Sequence, residues 1–122
     1  MKTIFKAGST VLFQGDSITD TGRSTGTIVE TGWGYTTFIA ARLGTRWPGK
    51  YKVLNRGVNG NWITDLFSRM KADIINLAPD VITILIGAND VWHELRTKTG
   101  TTTYVFEEIY DLMIKEIRTQ RN

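Results

Sequence analysis

The sequence predicts an α/β domain built on a parallel sheet with helices on both faces, and three observations carry that prediction. Short aliphatic strand runs alternate with stripes of helical period. A glycine stands at or just past the end of every strand run. The last run, Val81-Ile82-Thr83-Ile84-Leu85-Ile86, is apolar without alternation, as in strands covered on both faces. Strand–helix–strand units of this kind cross over right-handedly, which stacks the helices on either side of one sheet. With 122 residues, 41% of them hydrophobic and 22% charged, the chain fits one globular domain over 1–122 that buries about two-thirds of its unfolded surface.

Thr10-Val11-Leu12-Phe13-Gln14 reads as the first strand, stopped by Gly15. The polar stretch from Ile18 to Gly32 is longer than a simple strand–helix connection needs and reads as a working loop. Tyr35, Phe38, Ile39 and Leu43 recur at i, i+3, i+4 and i+8 and predict a helix ended near Gly44. Tyr51 to Asn55 is the second strand, closed by Gly57 and Gly60. Ile63, Leu66, Phe67, Met70 and Ile74 predict the second helix. After the strand Val81 to Ile86, the stripe Phe106, Ile109, Tyr110, Met113 and Ile117 predicts the third, with Glu107 and Glu108 early and Lys115 and Arg118 late, the polarity a helix dipole favours. Pro48 and Pro79 fall just before strands, and no repeat or linker divides the chain.

Composition removes several chemistries. The absence of cysteine excludes a disulfide framework, thiolate nucleophiles and cysteine-based metal sites. With one histidine, His93, imidazole chemistry must use that residue or go without. A net charge of +3 is too small and scattered for a nucleic-acid surface, so no nucleic-acid partner is expected. Met1 to Gly8 has no apolar stretch of signal-peptide length, and no run approaches the roughly 18 apolar residues of a membrane span. A cytoplasmic location, or a chain without its leader, is expected.

Three unusual segments directly follow strands: Gly15-Asp16-Ser17, Asn55-Arg56-Gly57-Val58-Asn59-Gly60 and Gly87-Ala88-Asn89-Asp90. In an open parallel sheet they lie on one edge, where ligands bind, on strands about 4.8 Å apart. Ser17, Gly57 and Asn89 can therefore converge. A hydroxyl, a glycyl amide and a carboxamide are what acyl transfer requires, a nucleophile with donors for the oxyanion. Taken singly, each segment also suits a helix cap or turn: Asp16 or Ser17 as an N-cap, Asn59 or Asn61 capping the second helix, Asn89-Asp90 as a turn. Asp20 and Arg23 either line the cleft or pair on the surface. Trp33, Trp62 and Trp92 read as packing residues or substrate platforms, Trp92 being the best platform, and Trp47 as structural.

Phe13-Gln14-Gly15-Asp16-Ser17-Ile18-Thr19-Asp20 resembles the first block of the SGNH hydrolases, also called GDSL esterases and lipases. The segments at 55–60 and 87–90 resemble their second and third blocks, in the same order and strand context over essentially the whole chain. The resemblance implies a three-layer α/β/α, flavodoxin-like fold whose three strands here run in the order 2-1-3. It implies a serine esterase that works through an acyl-serine intermediate on small-molecule esters, with no metal and no organic cofactor. Ser17 would be the nucleophile, the Ser17 and Gly57 amides and the Asn89 side chain the oxyanion hole, and Asp16, Asp20 and Asp90 supports, Asp16 by fixing the nucleophile turn. The flanking residues are similar to bacterial members linked to short acyl esters, including acetylated carbohydrates.

One family block has no counterpart: the Asp-x-x-His that supplies the general base and its orienting aspartate. The chain therefore resembles the N-terminal part of such an enzyme, two strands short of a five-stranded sheet, and is expected to be weak or inactive alone. His93, four residues past Asn89, is the only substitute base. In the order 2-1-3 the strand Val81 to Ile86 becomes an open edge, so self-association through it is expected. Two other classes stay open. Glycine turns at strand ends also bind phosphate or flavin, although neither G-x-G-x-x-G nor G-x-x-x-x-G-K-[ST] occurs. The third is a folded but catalytically silent fragment.

Overall fold

A computed structural model describes residues 5–23 and 30–120. Along the chain lie β1 (Thr10–Gly15), α1 (Ser17–Asp20), α2 (Tyr35–Arg46), β2 (Lys52–Asn55), α3 (Ile63–Ser68), α4 (Met70–Asp73), a 3₁₀ turn (Ile75–Leu77), β3 (Val81–Leu85), α5 (Ala88–Thr97) and α6 (Thr103–Thr119). The strands form one sheet in the order β2-β1-β3, and both pairings are parallel. In register, Leu12 lies beside Leu54 and Ile82, and Phe13 beside Asn55 and Thr83. All three strands thus end on one edge, as the sequence predicts.

Alternation along β1 builds the two faces. Leu12, fully buried, packs with Ile63, Leu66, Met70, Ile74, Met113 and Ile117, which joins α3, α4 and α6 to one face. Burying one such side chain is worth about 1.5–3 kcal/mol. On the other face the Phe13 ring meets Tyr35 of α2 edge-on at 5.7 Å. The three-layer arrangement follows from these two sets of contacts.

Several elements depart from the sequence expectation. The one-turn α1 and the ten-residue α5 arise where loops were expected. The apolar residues of α5 are largely solvent-facing, with Val91 58%, Trp92 58% and Leu95 74% exposed, so α5 carries no buried stripe to announce it. The helix α2 runs through Gly44 to Arg46, and it buries Thr36 and Leu43 while Phe38 is 74% exposed. Its inward face is set by Thr36, which meets the end of β2 through Asn55. The single helix expected over 63–74 breaks at Arg69, whose φ of −101° and ψ of 4° leave helical geometry. Finally, β3 is not covered on both faces: Ile82 and Ile84 pack against the core cluster, while Thr83 and Leu85, on the face shared with Phe13, are exposed. Of the long loop expected over Ile18 to Gly32, residues 24–29 lie outside the described residues. No helix among the described residues is long and apolar enough to cross a membrane.

Candidate active site

Ser17 is the first helical residue after β1. Asp16 caps that turn: its Oδ1 accepts the Ile18 N–H at 2.9 Å, and its carbonyl accepts the Thr19 and Asp20 amides at 3.1 and 2.8 Å. The cap residue, at φ −97° and ψ −149°, lies outside helical geometry, so the chain turns sharply and leaves Ser17 exposed above the sheet edge. The Ser17 N–H has no acceptor among the described residues. Asp16 itself is buried, and its second oxygen has no partner among the described residues. Its contacts are those of a residue that shapes the turn.

The second segment is organised by Asn55, the buried last residue of β2. Its Nδ2 donates to Thr19 O at 2.7 Å, Thr31 O at 2.8 Å and Thr36 Oγ1 at 3.2 Å, which ties β2 to α1 and α2. Its Oδ1 accepts the Gly57 N–H at 2.8 Å. That bond corrects an expectation: the Gly57 amide is occupied within the chain and does not face the cleft. Gly57 is buried against α1, and a Cβ there would overlap the Asp20 backbone nitrogen. Its carbonyl accepts from the Arg23 guanidinium. Burial pushes that guanidinium down from its ordinary value, the neighbouring Asp20 carboxylate opposing and Arg56 and Arg69 adding to the shift.

The other amides of this loop are nearly all spent as well. Val58 donates to Gly15 O at 3.0 Å, Asn59 to Asp20 Oδ2 at 2.8 Å and Asn61 to Val58 O at 3.2 Å. The Gly60 N–H alone in this run has no acceptor among the described residues. Gly60 is exposed, with φ of +79° and open space where a Cβ would stand. It is the residue that sequence reasoning missed, and a signal existed. Asn-x-Gly favours a side-chain turn in which the asparagine oxygen takes the amide two residues on, and that turn removes Gly57 from contention.

The third segment opens α5. Asn89 Nδ2 donates to Asn61 O at 2.9 Å, which fixes the carboxamide and leaves its second N–H. Asp90 is buried and accepts the Ile63 N–H on both oxygens, at 3.1 and 3.3 Å, a carboxylate at the amino end of α3. Asp20 is likewise buried and holds Asn59; it lines a cavity of about 300 Å³ with Ser17, Thr21, Gly22 and Asn59. Ser17 and Asn59 therefore line one cavity, and Asn89 is bonded to Asn61, two residues past Asn59.

His93 lies one turn beyond Asn89, its ring 4.8 Å from that of Trp62, and no carboxylate bonds it among the described residues. That environment suits packing and lacks the orienting group a base requires. Trp92 carries the Arg96 guanidinium over its ring at 5.4 Å, Trp33 is 62% exposed, and Trp47 packs edge-on against Tyr51.

Comparison with known proteins gives a consistent picture. The family model for the GDSL-like Lipase/Acylhydrolase family matches residues 13–122. An acetylxylan esterase of Geobacillus stearothermophilus is 33% identical over 116 residues, 91% of this chain and 53% of the relative. Thus the chain spans about half the length of that curated relative. Solved structures of an acetylxylan esterase from the same organism, catalytic mutants in which a serine, an aspartate or a histidine is replaced by alanine, superpose well. The aspartate mutant gives a TM-score of 0.89 at 30% identity, over 97% of this chain and 58% of that one. An alpha/beta hydrolase enzyme from the metagenome of Lake Arreo, Spain, gives 0.86 at 32% identity, over 95% and 58%.

The geometry makes Gly57 a packing residue. Gly57→Ala is expected to destabilise the fold by about 2–3 kcal/mol in urea unfolding, since the added methyl must displace α1, whereas Gly60→Ala costs about 1 kcal/mol, for its left-handed backbone alone. Equal costs at the two positions contradict this assignment.

Proposed function

The chain belongs to the GDSL-like lipase/acylhydrolase family, and on that premise we propose that it is the nucleophile-bearing part of a serine ester hydrolase. The single observation that carries the reading is the shared cavity, which Ser17 lines together with Asn59, the residue before Gly60, whose amide has no acceptor among the described residues. Ser17 Oγ attacks the ester carbonyl carbon, and the carbonyl oxygen takes up negative charge. The Ser17 and Gly60 amides and the free N–H of Asn89 Nδ2 are the donors for that oxyanion. Collapse of the tetrahedral adduct expels the alcohol, which takes a proton, and leaves an acyl-serine; water then releases the acid and restores the hydroxyl. Asp16, Asp20 and Asp90 act by holding the three segments.

The Ser17 proton needs an acceptor. The only histidine of the chain is packed on Trp62 with no carboxylate bonded to it among the described residues, so we assign the base to a residue that these 122 positions do not supply. A general base is worth about 10²–10⁴-fold, and the chain alone is a correspondingly slow catalyst. For the substrate we propose short acyl esters, acetylated carbohydrate among them. The resemblance to an acetylxylan esterase supports this, as does the cavity beside Ser17, whose lining residues Asp20, Thr21, Gly22 and Asn59 include no large apolar side chain.

The test is covalent labelling of the 122-residue chain with a p-nitrophenyl alkylphosphonate, read by mass spectrometry, alongside hydrolysis of p-nitrophenyl acetate and octanoate. The expected outcome is one adduct on Ser17, none in Ser17→Ala, a loss of about 10²–10³-fold in rate in Asn89→Ala, and acetate cleaved faster than octanoate. Labelling that survives Ser17→Ala, or stabilisation by flavin or nucleotide in its place, sinks the reading.

We also propose that isolated chains self-associate through β3. Among the described residues the strand pairs on one side only, and beside it lies a groove of about 260 Å³ lined by Ile82, Ile84, Tyr110, Ile114, Ile117 and Arg118. An apolar edge of this kind is a template for a second copy. Light scattering at micromolar concentration is expected to report dimers or larger species, reduced in Thr83→Lys, which puts a charge on the exposed strand; a strictly monomeric native chain contradicts the proposal.

A further inference from the structure

Arg69 sits where the helix over 63–74 breaks, outside all three loop segments, yet it touches two of them directly. Its Nε donates to Asn61 Oδ1 at 2.7 Å, Nη1 to Arg56 O at 2.8 Å and Asp73 Oδ2 at 2.9 Å, and Nη2 to Gly15 O at 3.2 Å. These bonds use four of the five N–H donors of a guanidinium, and the side chain is only 17% exposed. Gly15 is two residues before the Ser17 hydroxyl. Asn61 is the residue whose carbonyl receives Asn89 Nδ2 at 2.9 Å. One planar group therefore joins the end of β1, the second loop and, through Asn61, the carboxamide at the start of α5.

We infer that Arg69 is a positioning residue for the oxyanion site, acting through Asn61 on the orientation of Asn89. The inference rests on the esterase reading above. Its physical basis is the fork. Donors fixed in one plane set the angle between Gly15 O, Arg56 O and Asn61 Oδ1, which a single flexible ammonium does not reproduce. Asp73 Oδ2 accepts from Nη1 and pairs with the charge of the guanidinium. With the fork in place the Asn61 side chain is held, its carbonyl keeps one direction, and Asn89 has one N–H committed and the other aimed. Without it, the fold retains its apolar cluster, to which Arg69 does not belong, while the donor loses its aim. Misplacing a catalytic group by about 1 Å costs on the order of 10²-fold in rate.

The test measures two quantities on the 122-residue chain: the rate constant for phosphonylation of Ser17, and the ¹H–¹⁵N signals of the Asn89 side-chain amide. The variants are Arg69→Met, Arg69→Lys, Asn61→Ala, Asn89→Ala and the double Arg69→Met with Asn89→Ala. Arg69→Met and Asn61→Ala are each expected to slow labelling about 10- to 100-fold and to shift or broaden the Asn89 signals. Arg69→Lys, keeping the charge without the fork, is expected to behave as Arg69→Met. The double variant is expected to be no slower than Asn89→Ala alone. An Arg69 effect that adds in full to that of Asn89→Ala, a Lys variant at the native rate, or Asn89 signals unmoved in both Arg69→Met and Asn61→Ala overturns the inference. If Arg69→Met does not fold, Asn61→Ala, which leaves three of the four guanidinium bonds intact, decides it by the same two readouts. If native Ser17 is not labelled at all, the esterase reading fails, and the Asn89 signals still decide whether Arg69 orients that side chain.

Discussion

The buried carboxamide of Asn55 is the constraint on which the rest of the site depends. It stands at the end of β2, where backbone groups from α1, the approach to α2 and the glycine loop would otherwise face one another unpaired. Leaving one buried polar group unsatisfied costs about 1–3 kcal/mol, and this single side chain serves several. In doing so it fixes the distance between α1, which carries Ser17, and the loop that carries Gly60. The sheet supplies the coarse convergence of three strand ends; Asn55 sets the fine placement of two of them.

A second principle is the spending of donors. In the stretch from Gly57 to Asn61 each amide but one has an acceptor among the described residues. Where this loop packs on α1 its N–H groups must be paired inside the protein, so the one left over, on the exposed Gly60 with positive φ and open space beside it, is where the loop is ready to meet an outside acceptor. The same logic applies to Asn89, with one N–H committed to Asn61 and one unspent. Fixed neutral donors of this kind need no rearrangement as charge develops on a substrate oxygen, which is why they act strongly in catalysis.

The sheet was legible in the sequence because its signal is local: Val11 to Phe13, Val53 to Asn55 and Val81 to Leu85 are short aliphatic or polar-tipped runs with glycines close behind. The three loop segments were legible for the same reason. What failed was anything set by distant partners. The stripe Tyr35, Phe38, Ile39 and Leu43 names the right helix and half of its inward face: Leu43 is buried and Tyr35 packs on Phe13, whereas Phe38 and Ile39 are exposed and Thr36, held by Asn55, is buried in their place. The helix α5 has no inward stripe to detect, and the break at Arg69 answers to Gly15, Arg56 and Asn61, two of them more than ten residues away. In Asn-Arg-Gly-Val-Asn-Gly the Asn-x-Gly spacing marks Gly57 and not Gly60, and the bond from Gly57 to Asn55, with its burial against α1, separates the packed glycine from the exposed one. His93 is one turn from Asn89 by spacing, yet the Trp62 ring occupies its side.

The most direct measurement of the central claim is a crystal structure of the chain with a phosphonate bound covalently to Ser17. The account predicts the phosphoryl oxygen within about 3 Å of three nitrogens together, the Ser17 and Gly60 amides and Asn89 Nδ2, with Gly57 N–H still on Asn55. A phosphoryl oxygen turned to solvent, or held by the Gly57 amide with Gly60 remote, contradicts it.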